Sequence, residues 1–370
     1  MRIAIDCRPL SGPWGGVRRY TQSLVEALAR CGRDHEYALV GLPHSWDEPS
    51  FGTPMSVHRD RYPMARFIDQ LRLTSVPGRL DLYHGTNYMA PLIANFPTVI
   101  TVHDLSVNLL PKTHPFRRRL RHRLLPTLCK RSARIIADSM NTKRDLVRCY
   151  GIPEDKIDVI YLASGSNLQR VSDAKALAAV RARYGLPERF LLYVGSVEPR
   201  KNLPSVLEAV ASLRESGRPE SLVIAGRGEP KYLAHIRTVL RQNGLQEGRD
   251  VHLIGPVAEE DLAGLYSLCT LFVYPSLYEG FGLPPLEAMA CGAPVLLADN
   301  SSLSELFETS SAFVDLDRPD GLLLAVEMLL DSEDLRDEFV EKGLKRAQSR
   351  SWDDIAVETL DVYRRASEGL

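Results

Sequence analysis

A chain of 370 residues, 44% of them apolar and 25% charged, is typical of a globular protein and is long enough for two hydrophobic cores. It contains no run of about 18 uncharged apolar residues, which excludes a membrane-spanning helix at the level of sequence. The net charge of −1 hides an asymmetry, because residues 1–170 hold 25 Lys and Arg against 15 Asp and Glu, so we expect an anionic partner at the N-terminal half.

The chain start and the cysteines indicate a cytoplasmic protein. The first residues enter a strand pattern without the apolar stretch of a signal peptide. The six cysteines are scattered and form no C-x-x-C pair, which favours reduced thiols over disulfides or a zinc site.

Short apolar runs alternate with helical patterns along the whole chain, which predicts α/β units with buried parallel sheets. We therefore predict two doubly wound, Rossmann-like domains that face each other across a cleft, residues 1–170 and 171–351, with the helix 352–370 packing back on the first domain. The predicted strands are 2–6, 37–41, 81–84, 98–102, 134–138 and 157–161 in the first domain, and 190–194, 221–225, 251–254, 271–274, 294–297 and 311–314 in the second.

Two predicted strand ends in the first domain carry candidate site residues. Gly15 and Gly16 follow the first strand, where glycine would let the backbone approach a ligand closely, although glycine pairs in loops are common without a function. His103 and Asp104 follow the strand 98–102. His103 either points toward a ligand or is a structural histidine, and Asp104 either orients the imidazole or caps the next helix.

The second domain opens with a candidate anion site. The strand 190–194 leads into Gly195 and Ser196 and then into the adjacent cations Arg200 and Lys201. Arginine can bind a phosphate through two hydrogen bonds, and lysine adds a compact charge. Two adjacent cations also occur on ordinary surfaces, but their place after a strand and a glycine turn favours phosphate binding.

The most informative segment is PSLYEGFGLPPLEAMACGAPVLL at 275–297. Glu279 and Glu287 flank a glycine loop that precedes a predicted helix, and a helix start offers free backbone N–H groups to an anion. A glycosidase-type acid pair is the alternative, but it does not need a helix N-terminus between its two carboxylates. We interpret Glu279 as a contact to sugar hydroxyls and Glu287 as a contact to a ribose.

Two further patterns can be explained by ordinary structure as well as by function. Asp315 and Asp317 form a D-x-D sequence, which we interpret as a solvated turn rather than a metal site. The basic segment 117–131 carries Leu120, Leu124 and Leu128 four residues apart. It is either a solvated helix face packed by its leucines or a contact to anionic lipid headgroups or a phosphate-bearing acceptor. No motif in it indicates nucleic acid binding.

Together these segments resemble the family 4 glycosyltransferases of the GT-B fold. The resemblance runs over nearly the whole chain, and the E-x7-E segment is its most specific part. More narrowly, the chain is similar to bacterial mannosyl- and rhamnosyl-type enzymes of surface polysaccharide synthesis. The matching segments are GG at 15–16, VHDLS at 102–106, VGSVEPRKN at 194–202, IAGRG at 224–228 and YPSLYEGFGLPPLEAMACGAPVL at 274–296.

The resemblance implies a retaining transfer of a hexose, with mannose or a deoxyhexose favoured, from a nucleotide diphosphate sugar to a lipid-linked or polysaccharide acceptor. It implies no metal or other cofactor, favours GDP as the nucleotide, and fits a cytoplasmic enzyme on the inner face of a membrane. The implied catalytic residues are His103, Arg200, Lys201 and Glu279. The implied donor-binding residues are Gly15, Gly16, Gly195, Ser196, Gly226, Phe281, Gly282, Leu283 and Glu287, and the implied acceptor-side residues are Asp104 and Ser139.

Other functions remain open from sequence. A nucleotide-sugar epimerase or a phosphorylase would share the architecture, and an epimerase would release an isomerised sugar without an acceptor. A two-domain sugar-binding protein would bind free sugar tightly without turnover.

Overall fold

The structure, a computed structural model, describes residues 1–12, 15–43, 55–59, 73, 75–165 and 167–368. The chain divides into two compact units, Met1–Leu162 with Arg350–Leu370, and Ala163–Ser349. The first boundary lies between Leu162 and Ala163 rather than after residue 170, and the second lies just before Arg350 rather than after residue 351. Residues 163–170, which the sequence analysis assigned to the first domain, therefore belong to the second unit.

The first unit contains a seven-stranded parallel sheet in the order β3-β2-β1-β4-β5-β6-β7. β3 is the one described strand of this sheet that the sequence pattern did not predict, because it is a short, half-buried edge strand. The strands are β1 (Arg2–Asp6), β2 (Glu36–Val40), β3 (Met55–His58), β4 (Leu82–Gly85), β5 (Thr98–Val102), β6 (Arg134–Ala137) and β7 (Ile157–Val159).

The second unit contains a six-stranded parallel sheet in the order β10-β9-β8-β11-β12-β13. In both sheets the order reverses beside the first strand of the unit, as in doubly wound folds. The predicted α/β class is confirmed. The strands are β8 (Phe190–Val194), β9 (Ser221–Ala225), β10 (Val251–Gly255), β11 (Leu271–Tyr274), β12 (Val295–Ala298) and β13 (Ala312–Val314).

Helices connect these strands and cover the sheets, so the central strands are continuous apolar runs that are buried on both faces, whereas the edge strands β3 and β10 are mostly half-buried. No helix in the described ranges is long and apolar enough to cross a bilayer. The α-helices are α1 (Gly16–Cys31), α2 (Ser106–Leu109), α3 (Phe116–His122), α4 (Leu125–Arg131), α5 (Met140–Tyr150), α6 (Ala174–Tyr184), α7 (Leu203–Glu215), α8 (Pro230–Gln242), α9 (Glu259–Leu268), α10 (Leu283–Ala290), α11 (Ser301–Phe307), α12 (Gly321–Asp331), α13 (Glu333–Gln348) and α14 (Trp352–Glu368).

The C-terminal helix α14 packs against α1 in the first unit. The ring of Trp352 meets that of Tyr20 edge-on at a centroid distance of 6.0 Å. Arg30 and Asp353 form an ion pair at 2.7 Å on the exposed side of the same contact. The apolar part of this contact supplies most of its stability, because an exposed ion pair contributes little.

Candidate active site

Two adjacent cations follow β8, the first strand of the second sheet. The chain leaves this strand and passes through a short 3-10 helix, Pro199–Lys201, that turns Arg200 and Lys201 toward the end of β11. Both side chains are buried, with 7% and 4% of their surface exposed. Buried charges of this kind need partners to be stable.

The central partner is Glu279, in the loop after β11. Its Oε1 atom lies 2.5 Å from Lys201 Nζ and 3.0 Å from Arg200 Nη1. Ser276 donates its hydroxyl to the same oxygen at 2.5 Å, and Lys201 also donates to Tyr274 Oη at 2.7 Å. The structure thus brings together three of the four residues implied as catalytic, and it adds Ser276 and Tyr274, which sequence reasoning missed.

A second carboxylate completes the charge balance of this cluster. Glu198 accepts from Arg200 Nη2 at 2.9 Å, while Arg200 Nη1 also donates to the Tyr278 carbonyl at 2.5 Å. Two cations are therefore matched by two carboxylates. We call Glu198, Arg200, Lys201 and Glu279 the strand-end ion cluster.

The pKa shifts within the cluster follow from burial and charge. Burial raises the pKa of the Glu279 carboxyl, but Arg200 and Lys201 more than offset burial, so that pKa lies below its usual value. Burial and the adjacent Arg200 lower the pKa of the Lys201 ammonium. We take both groups as charged, because Glu279 Oε1 accepts hydrogen bonds from Lys201 and Ser276 and lies 3.0 Å from the Arg200 guanidinium, which stabilises the carboxylate.

The start of α11 fixes the loop that carries Glu279. Ser301 Oγ accepts from the Glu279 N–H at 2.9 Å, and Ser302 donates to the Glu279 carbonyl at 2.9 Å. Asn300 donates to the Ser276 carbonyl at 3.0 Å. Ser301 has a φ of 49°, in the left-handed region that non-glycine residues rarely adopt. The sequence signal for this support is Asn-Ser-Ser just after β12, a third strand end in the same sheet.

The glycine loop before α10 presents backbone donors. Gly282 has a φ of 101°, and within the described part of the chain the N–H groups of Phe281, Gly282 and Leu283 donate to no acceptor. Phe281, Gly282 and Leu283 are all buried, so these N–H groups lie in a sheltered part of the second unit. The next two residues, Pro284 and Pro285, have no N–H. Three consecutive donors at a helix start suit an anion.

Glu287 lies inside α10, on its second turn. It is buried, with 5% of its surface exposed, and Oε2 accepts from the Tyr266 hydroxyl at 3.1 Å. Tyr266 belongs to α9 and was not predicted as a site residue. Its hydroxyl fixes the orientation of the carboxylate.

Two predicted donor-binding glycines pack against each other at the ends of β8 and β9. A Cβ on Gly226 would lie 1.7 Å from the Gly195 carbonyl oxygen, and both residues have positive φ, 150° and 155°. This close approach explains the glycine at position 226. At position 195 the positive φ favours glycine, and a Cβ would lie 2.9 Å from Tyr193 Oη. Ser196 is exposed beside them, and its carbonyl accepts from the Tyr193 hydroxyl at 2.7 Å.

In the first unit, His103 follows β5 and forms a pair with Asp138. His103 Nδ1 lies 2.6 Å from Asp138 Oδ2, and His103 Nε2 lies 2.9 Å from the Thr86 carbonyl oxygen. Burial alone would lower the pKa of His103, but the Asp138 carboxylate and the two hydrogen bonds raise it above its usual value. Since both ring nitrogens face acceptors, the geometry fits an imidazolium that donates twice.

The two residues implied as acceptor-side contacts have structural tasks. Asp104 does not orient His103. Its Oδ1 accepts from the N–H and the hydroxyl of Ser106, at 2.8 and 2.6 Å, at the start of α2. Ser139 is fully buried and caps α5 by accepting from the Thr142 N–H at 3.1 Å. These contacts explain the local orientation of both side chains, and their role on the acceptor side stays a prediction.

A buried polar chain supports His103 from behind. Tyr20 meets the His103 ring edge-on at 4.8 Å and shares a hydrogen bond of 2.8 Å with Thr101. His84 Nε2 lies 2.9 Å from the Thr101 hydroxyl, and His84 Nδ1 lies 2.6 Å from the hydroxyl of Tyr363 in α14. Burial lowers the pKa of His84 to about 3, so this ring is neutral. Through Tyr363, the C-terminal helix α14 is therefore part of the hydrogen-bonded chain that supports His103.

The glycine pair at the start of α1 differs from the pair in the second unit. Gly15 has an extended φ of 171°, and a Cβ there would meet no described atom within 4 Å. Gly16 is the first residue of the helix. Packing within the described residues therefore does not account for Gly15.

The D-x-D sequence lies in an exposed turn after β13. Asp315 Oδ1 accepts from the Asp317 N–H at 2.9 Å, as in an ordinary polar turn. Among the described residues, no group of three His, Cys, Asp or Glu side chains could hold a metal ion.

Two units that each hold a doubly wound parallel sheet are the architecture of the GT-B fold. Solved structures agree on the fold. A sucrose-phosphate synthase from Thermosynechococcus elongatus has a TM-score of 0.78 and 22% identity, with all of both chains covered. Anabaena HepE in complex with UDP and glucose has a TM-score of 0.74 and 19% identity, with 98% of this chain and 99% of that chain covered.

The sequence comparisons give the family. Residues 14–163 match the family described as Glycosyltransferase Family 4, and residues 180–346 match Glycosyl transferases group 1. An O-antigen chain mannosyltransferase B of Escherichia coli is 31% identical over 98% of this chain and 100% of its own length. A serotype-specific mannosyltransferase WbdA of Escherichia coli is 30% identical over 76% of this chain and 35% of its own length. The chain belongs to glycosyltransferase family 4 and is a glycosyltransferase, as the resemblance implied.

Proposed function

We propose that this glycosyltransferase transfers mannose from GDP-mannose, with retention and without a metal, to a lipid-linked or polysaccharide acceptor in surface polysaccharide synthesis. The observation that carries the donor part is the strand-end ion cluster beside the three N–H donors of Phe281, Gly282 and Leu283. Similarity to the O-antigen chain mannosyltransferase B supports the choice of sugar and pathway class. The choice of GDP rests on the resemblance to mannosyl-type enzymes alone.

The leaving group determines what the second unit must do. Departure of a nucleoside diphosphate builds negative charge, and cations and N–H groups that are already in place stabilise that charge in the transition state. Arg200 and Lys201 are held by Glu279 before any ligand arrives, so little reorganisation is needed. We assign them to the diphosphate, together with the N–H groups at the start of α10.

The two glutamates have different tasks in this proposal. The contacts to Arg200, Lys201 and Ser276 all use Glu279 Oε1, which leaves the other oxygen for a hydroxyl of the donor sugar. Glu287, held by Tyr266, accepts from the ribose hydroxyls. Without a metal, the cations of the cluster are the sole fixed positive charges assigned to the leaving group.

The first unit positions the transferred sugar. His103, protonated and held by Asp138, contacts the sugar near the reacting carbon, and Gly15 and Gly16 bring backbone close to the donor. The sugar becomes oxocarbenium-like as the diphosphate departs, so exclusion of water protects it from hydrolysis. Attack from the same face, assisted by the leaving phosphate, would retain the anomeric configuration.

A ligand panel followed by product analysis tests the proposal. Thermal unfolding is measured with GDP, UDP, dTDP and ADP and with their sugars. A ligand at about 100 times its Kd stabilises the chain by roughly 2.7 kcal/mol, and GDP and GDP-mannose should give the largest shift. The absence of a shift with every nucleotide would contradict the donor site, and a larger shift with UDP or dTDP would contradict the choice of GDP.

Product analysis separates the alternatives. Incubation with GDP-mannose, a polysaccharide acceptor and EDTA should yield an α-linked product and GDP. Loss of turnover in EDTA would contradict metal independence, and a β-linked product would contradict retention. Isomerised sugar without an acceptor would indicate an epimerase, and tight binding of free sugar without turnover would indicate a binding protein.

The acceptor and the site of action complete the proposal. We place the enzyme on the cytoplasmic face of a membrane, because a lipid-linked acceptor is anchored there. The basic first half of the chain supports this placement, since it carries the excess of Lys and Arg.

A further inference from the structure

The segment 116–124 exposes a row of large apolar side chains. Phe116, Leu120 and Leu124 are 68%, 51% and 41% exposed, whereas Leu128, the next leucine at the same spacing, is buried. The expectation of one helix face packed by its leucines is therefore wrong. α3 ends at His122 and α4 starts at Leu125, so the periodicity does not continue along a single helix.

Five arginines alternate with these apolar residues in the sequence. They are exposed, and within the described part of the chain their side chains make no hydrogen bond or ion pair: Arg117, Arg118, Arg119, Arg121 and Arg123. The sequence has no Asp or Glu between Asp104 and Asp138. Neither the local sequence nor the described residues therefore supply a carboxylate that pairs with these arginines. We call Phe116, Leu120, Leu124 and these five arginines the 116–124 surface.

Buried neighbours hold the 116–124 surface in place. His122 is buried and meets the Tyr88 ring edge-on at 5.6 Å. Burial lowers the pKa of His122 to about 4, so this ring adds no charge. Leu125 and Leu128 pack into the core behind it. The segment is therefore anchored on one side and presents arginine and apolar groups on the other.

We propose that the 116–124 surface docks on the headgroup layer of a bilayer that contains anionic lipid. Exposed Phe and Leu gain free energy by leaving water for the acyl boundary, and arginines beside them bind lipid phosphates while their stems cover apolar surface. The apolar side chains alone or the arginines alone would hold the protein on a bilayer only weakly, whereas both together give stable attachment. This inference deepens the proposed function and rests on it for its role, because it names the surface that holds the enzyme on the membrane. Binding to vesicles requires neither the donor nor the acceptor, so a failure of this inference can be told apart from a failure of the proposed transfer activity.

Vesicle flotation of the full chain tests this surface. The protein should float with vesicles of phosphatidylcholine and phosphatidylglycerol, and much less with phosphatidylcholine alone. Added salt should weaken the binding, because the charge contribution is screened. The variant Arg117→Gln/Arg118→Gln/Arg119→Gln should bind roughly 100-fold more weakly. Phe116→Ser/Leu120→Ser should bind about 10-fold more weakly, with the salt dependence retained.

Matched variants on the second unit serve as controls. Lys175→Gln/Lys231→Gln/Arg241→Gln removes the same charge from exposed, scattered positions, and Leu324→Ser/Met328→Ser removes exposed apolar groups from α12. Both controls should float like wild type, and all variants should keep the wild-type melting temperature.

Three results would overturn the proposal. The first is equal flotation of the wild type and the triple arginine variant. The second is equal loss of binding in the charge control, which would indicate dependence on net charge alone. The third is binding to a single-stranded oligonucleotide without binding to the vesicles, which would indicate a nucleic acid partner.

Discussion

The strand ends of the two units carry charge in different ways. The second unit gathers two buried cations and two carboxylates into one cluster, whereas the first unit has two separate pairs, Arg8 with Asp6 at the end of β1 and His103 with Asp138 after β5. The cluster in the second unit places several strong donors around one point, which suits a ligand that gains negative charge. The His103–Asp138 pair in the first unit fixes the orientation of one ring. In the proposed function, the second unit stabilises the charge of the leaving group and the first unit positions the transferred sugar.

Two glycines also differ between the units, since Gly226 is tightly packed and Gly15 is not. Their substitution by alanine should give the largest difference in stability between the two units. Gly226→Ala places a Cβ 1.7 Å from the Gly195 carbonyl, a backbone atom that cannot move away easily. We expect a loss of roughly 4 kcal/mol in the free energy of unfolding. Gly15→Ala should change it by less than about 0.5 kcal/mol, because the added methyl meets no described atom.

Urea denaturation of both variants checks this expectation, with turnover measured on whatever remains folded. Gly15→Ala should keep its stability and lose activity, since the methyl group would lie where the backbone approaches the donor. A stable Gly226→Ala would show that the two turns can separate. A fully active Gly15→Ala would remove the donor role from the first glycine pair.

Removal of a cation from the strand-end ion cluster should have the next largest effect. Lys201→Ala takes away a charge that is fixed 2.5 Å from Glu279 Oε1. We expect the turnover number at saturating donor to fall by roughly 10²–10³-fold, because leaving-group stabilisation is lost in the transition state. Lys342→Ala, in an exposed ion pair with Glu338, is the control and should turn over like wild type. Turnover of Lys201→Ala near the wild-type value would end the assignment of Lys201 to the leaving group.

Glu279→Gln should separate sugar contact from nucleotide contact. The substitution keeps the size of the side chain but removes the charge that pairs with Arg200 and Lys201. Transfer should fall by roughly 100-fold, while affinity for the nucleoside diphosphate should stay within a few fold. Calorimetric titration with GDP and a transfer assay measure the two quantities. A collapse of GDP affinity with little change in transfer would mean that the roles of Glu279 and Glu287 are exchanged.

Sequence reasoning found the parts of the site that follow directly from a strand. Arg200, Lys201 and Glu279 each lie within a few residues of a strand end, and parallel strands bring those ends to one edge of a sheet. It missed the support that comes from other elements. Ser301 lies just after the end of β12 and accepts a hydrogen bond from the Glu279 N–H. This contact depends on the left-handed φ of Ser301, which the residue type does not predict.

The partner of His103 shows the same limit. Asp104 is adjacent in sequence, but its carboxylate accepts from Ser106 at the start of α2. Asp138 lies at the end of β6, which pairs with β5 in parallel register, and it is this carboxylate that reaches the imidazole. Contacts between neighbouring strands depend on register, and register follows from the packing of the whole sheet.

Asp138→Asn should have the smallest effect of these substitutions and the clearest dependence on pH. Asp138 raises the pKa of His103, so the stability that protonation of His103 contributes is complete below its unfolded pKa of about 6.5 and is lost as pH rises through the higher folded value. Without the carboxylate the folded pKa falls, so this loss moves to lower pH. If the protonated ring positions the sugar, the alkaline decline of turnover should move in the same direction.

Turnover of Asp138→Asn near neutral pH should be about 10-fold lower than wild type, with donor affinity little changed. Profiles of turnover and of unfolding free energy against pH, together with NMR titration of the His103 ring, measure the shift. Asp104→Asn is the matched control, because it removes a nearby carboxylate that bonds to Ser106 rather than to the ring. An equal shift of the pH profile in both variants would mean that any nearby negative charge has this effect. No shift in Asp138→Asn would show that the contact of 2.6 Å does not hold the proton on His103.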